Sequence, residues 1–194
     1  FLTRGCPRNC AFCIVSKKEG RVSKQVADLS DFSRKNKPIK LLDPNILACK
    51  DREGLMVQLI DSKMPVDFTQ GLDIRLANTD AIELINRVKL KDIHFAWDNA
   101  GEDLTRFFAQ YTKRAKHRPH GSFGTVYTLT NFGSTMEENL YRIYTLRDLG
   151  FDPYVMVYDK PNAPKEIKRL QRWCNNRAIF KSCPDFKDYR GNHG

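Results

Sequence analysis

The chain has 194 residues, of which 41% are hydrophobic and 29% are charged, and its net charge is +10. These values are typical of one globular domain with a full core, and they exclude a small framework held together by disulfides. No apolar run approaches the length of a membrane span, so we expect no membrane association. The first residue is Phe1 rather than Met, in a strand-like stretch, which predicts further sequence upstream.

Six short apolar runs predict β-strands, and helical patterns lie between them. The runs occupy residues 1–3, 39–42, 66–69, 93–97, 125–129 and 154–158. Their spacing of roughly 30 residues is that of repeated βα units, which favours a parallel sheet with right-handed crossovers.

Three helices have clear sequence signals. Thr79 is predicted to cap the helix of "DAIELINRV". Residues 134–150, "STMEENLYRIYTLRDLG", predict a helix that begins at a capping box and ends at a glycine. The box uses either Ser134 with the glutamate three residues later or Thr135 with the next glutamate. A last helix is predicted over residues 164–176.

Polar segments follow each predicted strand after the first. They are "DPN" at 43–45, "QGLDIR" at 70–75, "DN" at 98–99, "TNFG" at 130–133 and "YDKPN" at 158–162. Because the carboxyl ends of parallel strands meet at one edge of a sheet, we expect these segments to converge there.

Three cysteines, Cys6, Cys10 and Cys13, lie in "RGCPRNCAFCIV" directly after the first predicted strand. A structural zinc site needs four ligands, and no histidine lies between Cys13 and His94. A cubane iron–sulfur cluster takes one protein ligand per iron, so three cysteines leave one iron open. An open metal position is typical of chemistry rather than of scaffolding. The scattered cysteines are predicted to be packed or free thiols: Cys49, Cys174 and Cys183.

The stretch "CPRNCAFC" resembles the CxxxCxxC signature of radical S-adenosylmethionine enzymes. It includes the aromatic Phe12 before the third cysteine, which we expect among the cofactor-binding residues. The resemblance implies that Cys6, Cys10 and Cys13 hold a 4Fe–4S cluster and that S-adenosylmethionine binds the open iron. An electron from the cluster then cleaves S-adenosylmethionine to a 5′-deoxyadenosyl radical, which abstracts hydrogen from the substrate.

The same resemblance implies a fold and partners. The family core is an α/β fold, a partial (β/α)6 barrel with parallel strands, which covers residues 1–177 here and leaves 178–194 as a C-terminal tail. The stretch "LLDPNIL" resembles a turn of the cobalamin-linked branch, whose members carry a cobalamin domain upstream. The resemblance also implies that the reductant is a flavodoxin or ferredoxin, and that the enzyme is cytoplasmic and sensitive to oxygen.

Further cofactor contacts follow from where each polar segment stands in the family. Asp43 is expected to accept from the methionine amino group of S-adenosylmethionine. Arg75 is expected to bind the methionine carboxylate, because a planar guanidinium grips a carboxylate with two hydrogen bonds. Asp98 is expected to accept from ribose hydroxyls, and Asn131 and Gly133 to border the adenosyl group.

The resemblance leaves the substrate open. Positive charge is densest in residues 160–190 and 113–120, which favours either an anionic partner such as nucleic acid or a solvated basic face. The predicted docking face comprises Lys165, Lys168, Arg169, Arg172 and Arg177, with Trp173 beside it as a stacking or a core residue. The hypotheses are a radical enzyme on a nucleotide-like substrate, one on a small molecule or peptide, and a non-catalytic iron–sulfur or zinc module that docks nucleic acid.

Overall fold

The computed structural model describes residues 1–34, 36–117 and 123–191, and it confirms the α/β class. Within these ranges, the strands are β1 (Thr3–Arg4), β2 (Lys24–Gln25), β3 (Ile39–Leu41), β4 (Val66–Leu72), β5 (Leu90–Ala96), β6 (Thr125–Thr130) and β7 (Asp152–Val157). The α-helices of the same ranges are α1 (Val15–Glu19), α2 (Arg52–Ser62), α3 (Thr79–Arg87), α4 (Thr105–Arg114), α5 (Met136–Asp148), α6 (Lys165–Asn175) and α7 (Arg177–Ser182).

Among the described residues, five parallel strands form the main sheet, in the order β3, β4, β5, β6, β7. Each strand lies beside its successor, and α2, α3, α4 and α5 connect the successive pairs. In the part of the chain that is described, β3 and β7 are the two edges and the sheet does not close. The carboxyl ends of these strands therefore share one edge, where ligand sites of α/β sheets lie.

The first predicted strand differs from the expectation of a sixth parallel strand. β1 pairs antiparallel with β2 and is not part of the parallel sheet. The main-chain N–H groups of Leu2 and Thr3 donate to the side chain of Asp43, just after β3, instead of to a strand backbone. β1 is therefore attached to the end of β3 through a side chain, and the (β/α)6 arrangement is not reached among the described residues.

The two faces of the parallel sheet differ in burial. Residues that pair in register share a face, as Phe68 of β4 does with Ile93 of β5. This face is buried and packs against α2, α3, α4 and α5, which contribute Leu59, Ile82, Phe108 and Leu146 to the core. The alternate residues form a half-buried to exposed face: Lys40, Asp67, Thr69, Asp92, His94, Tyr127, Tyr154 and Met156. These helices therefore cover one face, and polar and aromatic groups populate the other.

The helix starts confirm one predicted cap and correct another. α5 begins at the capping box of Thr135 and Glu138, which is one of the two predicted options. Glu138 N–H donates to Thr135 Oγ1 at 3.2 Å, and Thr135 N–H donates to Glu138 Oε2 at 2.7 Å. The cap of α3 is Asn78 rather than Thr79, because Asn78 Oδ1 accepts from the N–H of Ala81 at 3.0 Å while Thr79 is already helical.

The segment predicted as a C-terminal tail packs against the rest of the domain. It contains most of α7, and Phe186 and Tyr189 join Trp173 of α6 in a second core cluster. Trp173 is fully buried, and its Nε1–H donates to the Cys183 carbonyl at 2.8 Å. Trp173 is therefore a core residue, the second of its two predicted roles, and is not a stacking surface.

The predicted docking face is partly used by the fold itself. Arg169 donates from Nε and Nη2 to the Tyr189 carbonyl, at 3.1 and 2.7 Å, and its guanidinium carbon lies 4.6 Å from the ring centroid of Phe186. Lys168 Nζ donates to the Pro161 carbonyl at 3.0 Å. Nucleic-acid docking by this face stays a prediction, and Arg169 is poorly suited to it because its Nε and Nη2 already donate to main-chain carbonyls.

Two other predicted features concern partners, the basic segment 113–120 and the lack of a membrane span. Of the basic segment, residues 118–120 lie outside the described residues. No helix within the described ranges is long and apolar enough to cross a membrane.

Candidate active site

The cysteine loop between β1 and α1 folds back on itself. Cys13 N–H donates to the Cys10 carbonyl at 2.9 Å, and Cys6 N–H donates at 3.1 Å to the carbonyl that follows α1. Gly5 precedes the loop with φ +88°, and a Cβ there would lie 2.2 Å from a main-chain oxygen of the segment before β2. Glycine is therefore required at this turn. The thiols of Cys6, Cys10 and Cys13 are free and half-buried.

Four other predicted site residues affect the pKa of the Cys10 thiol. Burial raises the pKa of the Cys10 thiol, and Asp98, Cys6 and Cys13 raise it further. The Arg75 guanidinium acts in the opposite direction and lowers this pKa. The structure thus brings five predicted residues together at the carboxyl edge of the sheet. In these surroundings, a cationic partner such as a metal ion would stabilise the thiolate form of Cys10 relative to the thiol.

Asp43 lies buried directly after β3, beside the cysteine loop. Its Oδ1 accepts from Leu2 N–H at 2.9 Å, from Thr3 Oγ1–H at 2.8 Å, and from the N–H of Thr3. Its Oδ2 is buried and has no hydrogen-bond partner among the described residues. One oxygen therefore holds β1, and the second is an unused acceptor. The resemblance predicts that Asp43 accepts from the methionine amino group.

Arg75 follows β4 and is held by two carboxylates. Its Nε donates to Asp73 Oδ1 at 2.7 Å, and its Nη1 donates to Glu102 Oε2. Asp73 also accepts from Arg8 of the cysteine loop, at 2.5 Å. Burial lowers the pKa of Arg75, but Asp73 and Glu102 outweigh it and leave the pKa raised. Arg75 thus lies near Cys10 as predicted, within an ion-pair network that a ligand carboxylate would have to join.

Asp98 follows β5 and is a partly buried acid. Burial raises the pKa of Asp98 to about 6, although Arg142, the main chain of Leu129 and Arg75 each act to lower it. Asp98 is therefore mostly ionised at pH 7, with a charge that is poorly solvated. Such a carboxylate gains from any ligand that donates hydrogen bonds to it, as ribose hydroxyls do.

Arg142 of α5 is a buried arginine, 1% exposed, beneath this edge of the sheet. Its Nη1 donates to the carbonyls of Trp97 at 2.8 Å and Asp98 at 3.1 Å. Its Nη2 donates to the Leu129 carbonyl at 2.8 Å and to Asn139 Oδ1 at 2.7 Å. Burial lowers the pKa of Arg142 to about 10, which leaves it charged at neutral pH. One guanidinium therefore joins the carboxyl ends of β5 and β6.

The cysteine loop also contacts the segment after β6, which in turn contacts the segment after β7. Phe12 packs edge-on against Phe132 at 5.5 Å between ring centroids, and Phe132 packs against Tyr158 at 4.8 Å. Asn131 has φ +62°, and its Nδ2 donates to the Tyr158 carbonyl at 2.8 Å. Gly133 has φ +69°, and a Cβ there would meet nothing within 4 Å, so its backbone conformation rather than space favours glycine.

Four residues of this edge were not singled out by the sequence. Asp73 and Asn45 lie inside the polar segments "QGLDIR" and "DPN", which were the available signals. Arg142 lies on the buried side of α5 together with Asn139, so the pattern of apolar residues did not mark it. Glu102 has no local signal, because its role depends on Arg75, which is remote in sequence.

Asp98→Asn is expected to raise the free energy of unfolding at pH 7 by up to about 3 kcal/mol. The folded pKa of about 6 lies above the usual pKa of the unfolded chain. The folded state therefore binds the proton more tightly, and this stability is present below about pH 4 and lost as the pH rises through 6. The asparagine removes the buried charge. Urea unfolding of the metal-free protein at pH 4.5, 6 and 7.5 measures the effect.

The exposed Asp148→Asn is the matched control, and its unfolding should be unchanged at all three pH values. An Asp98→Asn variant whose pH dependence between 4.5 and 7.5 equals that of the wild type would contradict the assignment.

Fold and site together define an α/β protein with a cysteine loop at the carboxyl edge of a parallel sheet. Comparison with protein-family models, with curated proteins and with solved structures found no match. The functional proposal therefore depends on the residues of the site.

Proposed function

We propose that this chain is a radical S-adenosylmethionine enzyme that holds a 4Fe–4S cluster on Cys6, Cys10 and Cys13. The observation that carries the proposal is the position of the cysteine loop. It lies at the carboxyl edge of the parallel strands, where Arg8 donates to Asp73 after β4 at 2.5 Å and Phe12 packs against Phe132 after β6 at 5.5 Å. The open parallel sheet is compatible with the family's partial (β/α)6 barrel, which would need one more parallel strand than the described residues supply.

The number of thiols favours a cluster over a single zinc ion. A structural zinc site closes its tetrahedral shell with four protein ligands. A cubane cluster takes one protein ligand per iron, so three cysteines can hold it and leave one iron open.

The donor set also fits a cofactor at the open iron. When bound, the reduced cluster supplies the electron that cleaves S-adenosylmethionine to methionine and a 5′-deoxyadenosyl radical for hydrogen abstraction from the substrate. Asp43 Oδ2 is a buried acceptor without a partner among the described residues, and it suits the methionine amino group. Asp98 suits the ribose hydroxyls. Phe12, Asn131 and Gly133 border the adenosyl position.

The substrate and the electron donor stay open within this proposal. A nucleotide-like substrate and a small molecule or peptide both remain candidates, and the donor is proposed to be a flavodoxin or ferredoxin. A cobalamin domain upstream is the further expectation for the branch that "LLDPNIL" resembles.

The experiment is anaerobic reconstitution of the protein with iron and sulfide, followed by reduction with dithionite in the presence of S-adenosylmethionine. We expect about four irons per chain and formation of methionine and 5′-deoxyadenosine. Stoichiometric zinc without visible absorption would refute the proposal. A full cluster that never cleaves S-adenosylmethionine would favour the non-catalytic iron–sulfur module instead.

Arg75→Ala is expected to weaken S-adenosylmethionine binding by about 1.5–3 kcal/mol, the range for hydrogen bonds to charged groups. The reason is loss of the guanidinium proposed to hold the methionine carboxylate. Equilibrium binding to the reconstituted protein measures it. Arg8→Ala is the matched control, because Arg8 donates to the same Asp73 from the cysteine loop. Equal losses in both variants would show that the Asp73 network, and not a carboxylate contact, is responsible.

A further inference from the structure

Asn45 is a buried amide that faces the first cysteine of the loop. It is 3% exposed, and its Nδ2 lies 3.6 Å from Cys6 Sγ as a hydrogen-bond donor. Its main-chain carbonyl accepts from Ser23 Oγ–H at 2.9 Å and from Ala48 N–H at 3.2 Å. These bonds fix the main chain of Asn45, which places its side chain beside the cysteine loop.

The amide of Asn45 is incompletely satisfied without a ligand. Its Oδ1 is buried and has no hydrogen-bond partner in the described part of the chain. Leaving a buried polar atom unpaired costs free energy, so such atoms are rare and call for an explanation. A neutral thiol is a weak acceptor for Nδ2–H, whereas a thiolate bound to iron carries negative charge and accepts more strongly. Both ends of the amide therefore point to a bound group at this place.

We propose that Asn45 is a positioning residue that donates a hydrogen bond to the Cys6 sulfur of the bound cluster and raises the cluster's reduction potential. This inference rests on the proposed function. Hydrogen bonds to cluster sulfurs are one of the factors that set the potentials of iron–sulfur centres. The bond stabilises the reduced cluster more than the oxidised one, because reduction adds negative charge next to the donor. Removal of the donor makes the cluster harder to reduce.

The proposal assigns a specific chemical task to the "DPN" segment. Asp43 holds β1 with one oxygen and leaves the other unused, and Asn45 reaches the first cysteine two residues later. The end of β3 therefore contacts the first cysteine through Asn45 and would offer Asp43 Oδ2 to a group bound at the open iron. The task of Asn45 is distinct from cofactor binding, since its donor is directed at sulfur.

The test uses Asn45→Leu, which keeps the approximate size of the side chain, and Asn45→Ala, which shortens it; both lack the amide donor and add no charge. Each is reconstituted anaerobically in the full chain, its iron is counted, and its midpoint potential is measured by a redox titration followed by electron paramagnetic resonance. We expect a full iron count and a more negative potential. The expected change is up to tenfold in the reduction equilibrium, which for one electron is about 59 mV. If one variant fails to fold, the other carries the test.

Asn175→Ala is the matched control. Its amide is half-buried and bonds to the main chain of Val155 in β7 from both ends, at 2.7 and 3.1 Å, and not to the cysteine loop. Its loss should lower stability and leave the potential unchanged. A fully loaded Asn45→Leu protein with the wild-type potential would overturn the inference while the proposed function stands. A wild-type protein that binds no cluster would overturn the proposed function itself.

Discussion

Replacing any one of Cys6, Cys10 and Cys13 by Ala is expected to abolish stable 4Fe–4S binding and reductive cleavage of S-adenosylmethionine. Each cysteine is proposed to supply the single protein ligand of one iron, so a variant leaves two irons without one. Iron and sulfide counting after anaerobic reconstitution, together with visible absorption, measures the loss.

The other cysteines provide matched controls for this experiment. Cys49 and Cys174 are buried, and the Cys174 thiol donates to the Pro153 carbonyl at 3.3 Å. Cys183 is half-buried, and its thiol donates to the Asp185 carbonyl at 3.4 Å. Ala variants of these three should keep the wild-type iron count. A cluster that survives in Cys10→Ala would contradict the proposed ligand set, as would loss of iron in Cys49→Ala.

Arg142→Ala is expected to lower the free energy of unfolding of the metal-free protein by about 3–5 kcal/mol. The carbonyls of Trp97, Asp98 and Leu129 lose a charged donor, and a cavity replaces the side chain. The pKa of Asp98 should also rise further, because Arg142 is among the groups that lower it. Urea unfolding at pH 7 measures the stability, and carboxyl titration by NMR measures the pKa.

Arg147→Ala, on the same helix, is the control that distinguishes the effect of losing a buried arginine from the effect of losing an exposed one. Arg147 is half-exposed, donates to the Pro184 carbonyl at 2.5 Å and lies over the Tyr144 ring. Exposed interactions of this kind contribute about 1 kcal/mol or less. Similar losses in the Arg142 and Arg147 variants would mean that the buried bonds of Arg142 add nothing beyond those of an exposed arginine.

Much of the fold follows from local patterns in the sequence. The apolar runs predicted β3 to β7 within a few residues, and the Thr135 signal placed the start of α5. The first strand differed from the predicted parallel strand because N–H groups at its start donate to the side chain of Asp43, which is remote in sequence. Periodicity reports on which residues are apolar, and it carries no information about which partner a short strand takes.

The residues of the candidate site were likewise predicted only in part from the sequence. Asp98 was found because it follows a parallel strand, and the topology alone brings it to the carboxyl edge. The cysteines were found by their spacing, and side-chain contacts such as that of Arg8 with Asp73 hold their loop at this edge. Arg142 and Glu102 were missed because their roles depend on contacts between elements that are far apart along the chain. The pattern of apolar residues gave no signal for Arg142, which shares the buried side of α5 with Asn139, and its main-chain carbonyl partners have no signature in sequence.

The bonds of Arg142 also constrain motion at the site. A single guanidinium bonded to Trp97 and Asp98 after β5 and to Leu129 in β6 couples the carboxyl ends of two neighbouring strands. A shift of Asp98 on ligand binding should therefore be transmitted to the end of β6. The cysteine loop, in contrast, is attached to this edge through side chains, Arg8 with Asp73 after β4 and Phe12 with Phe132 after β6. Hydrogen exchange should accordingly be slower at the ends of β5 and β6 than in the cysteine loop.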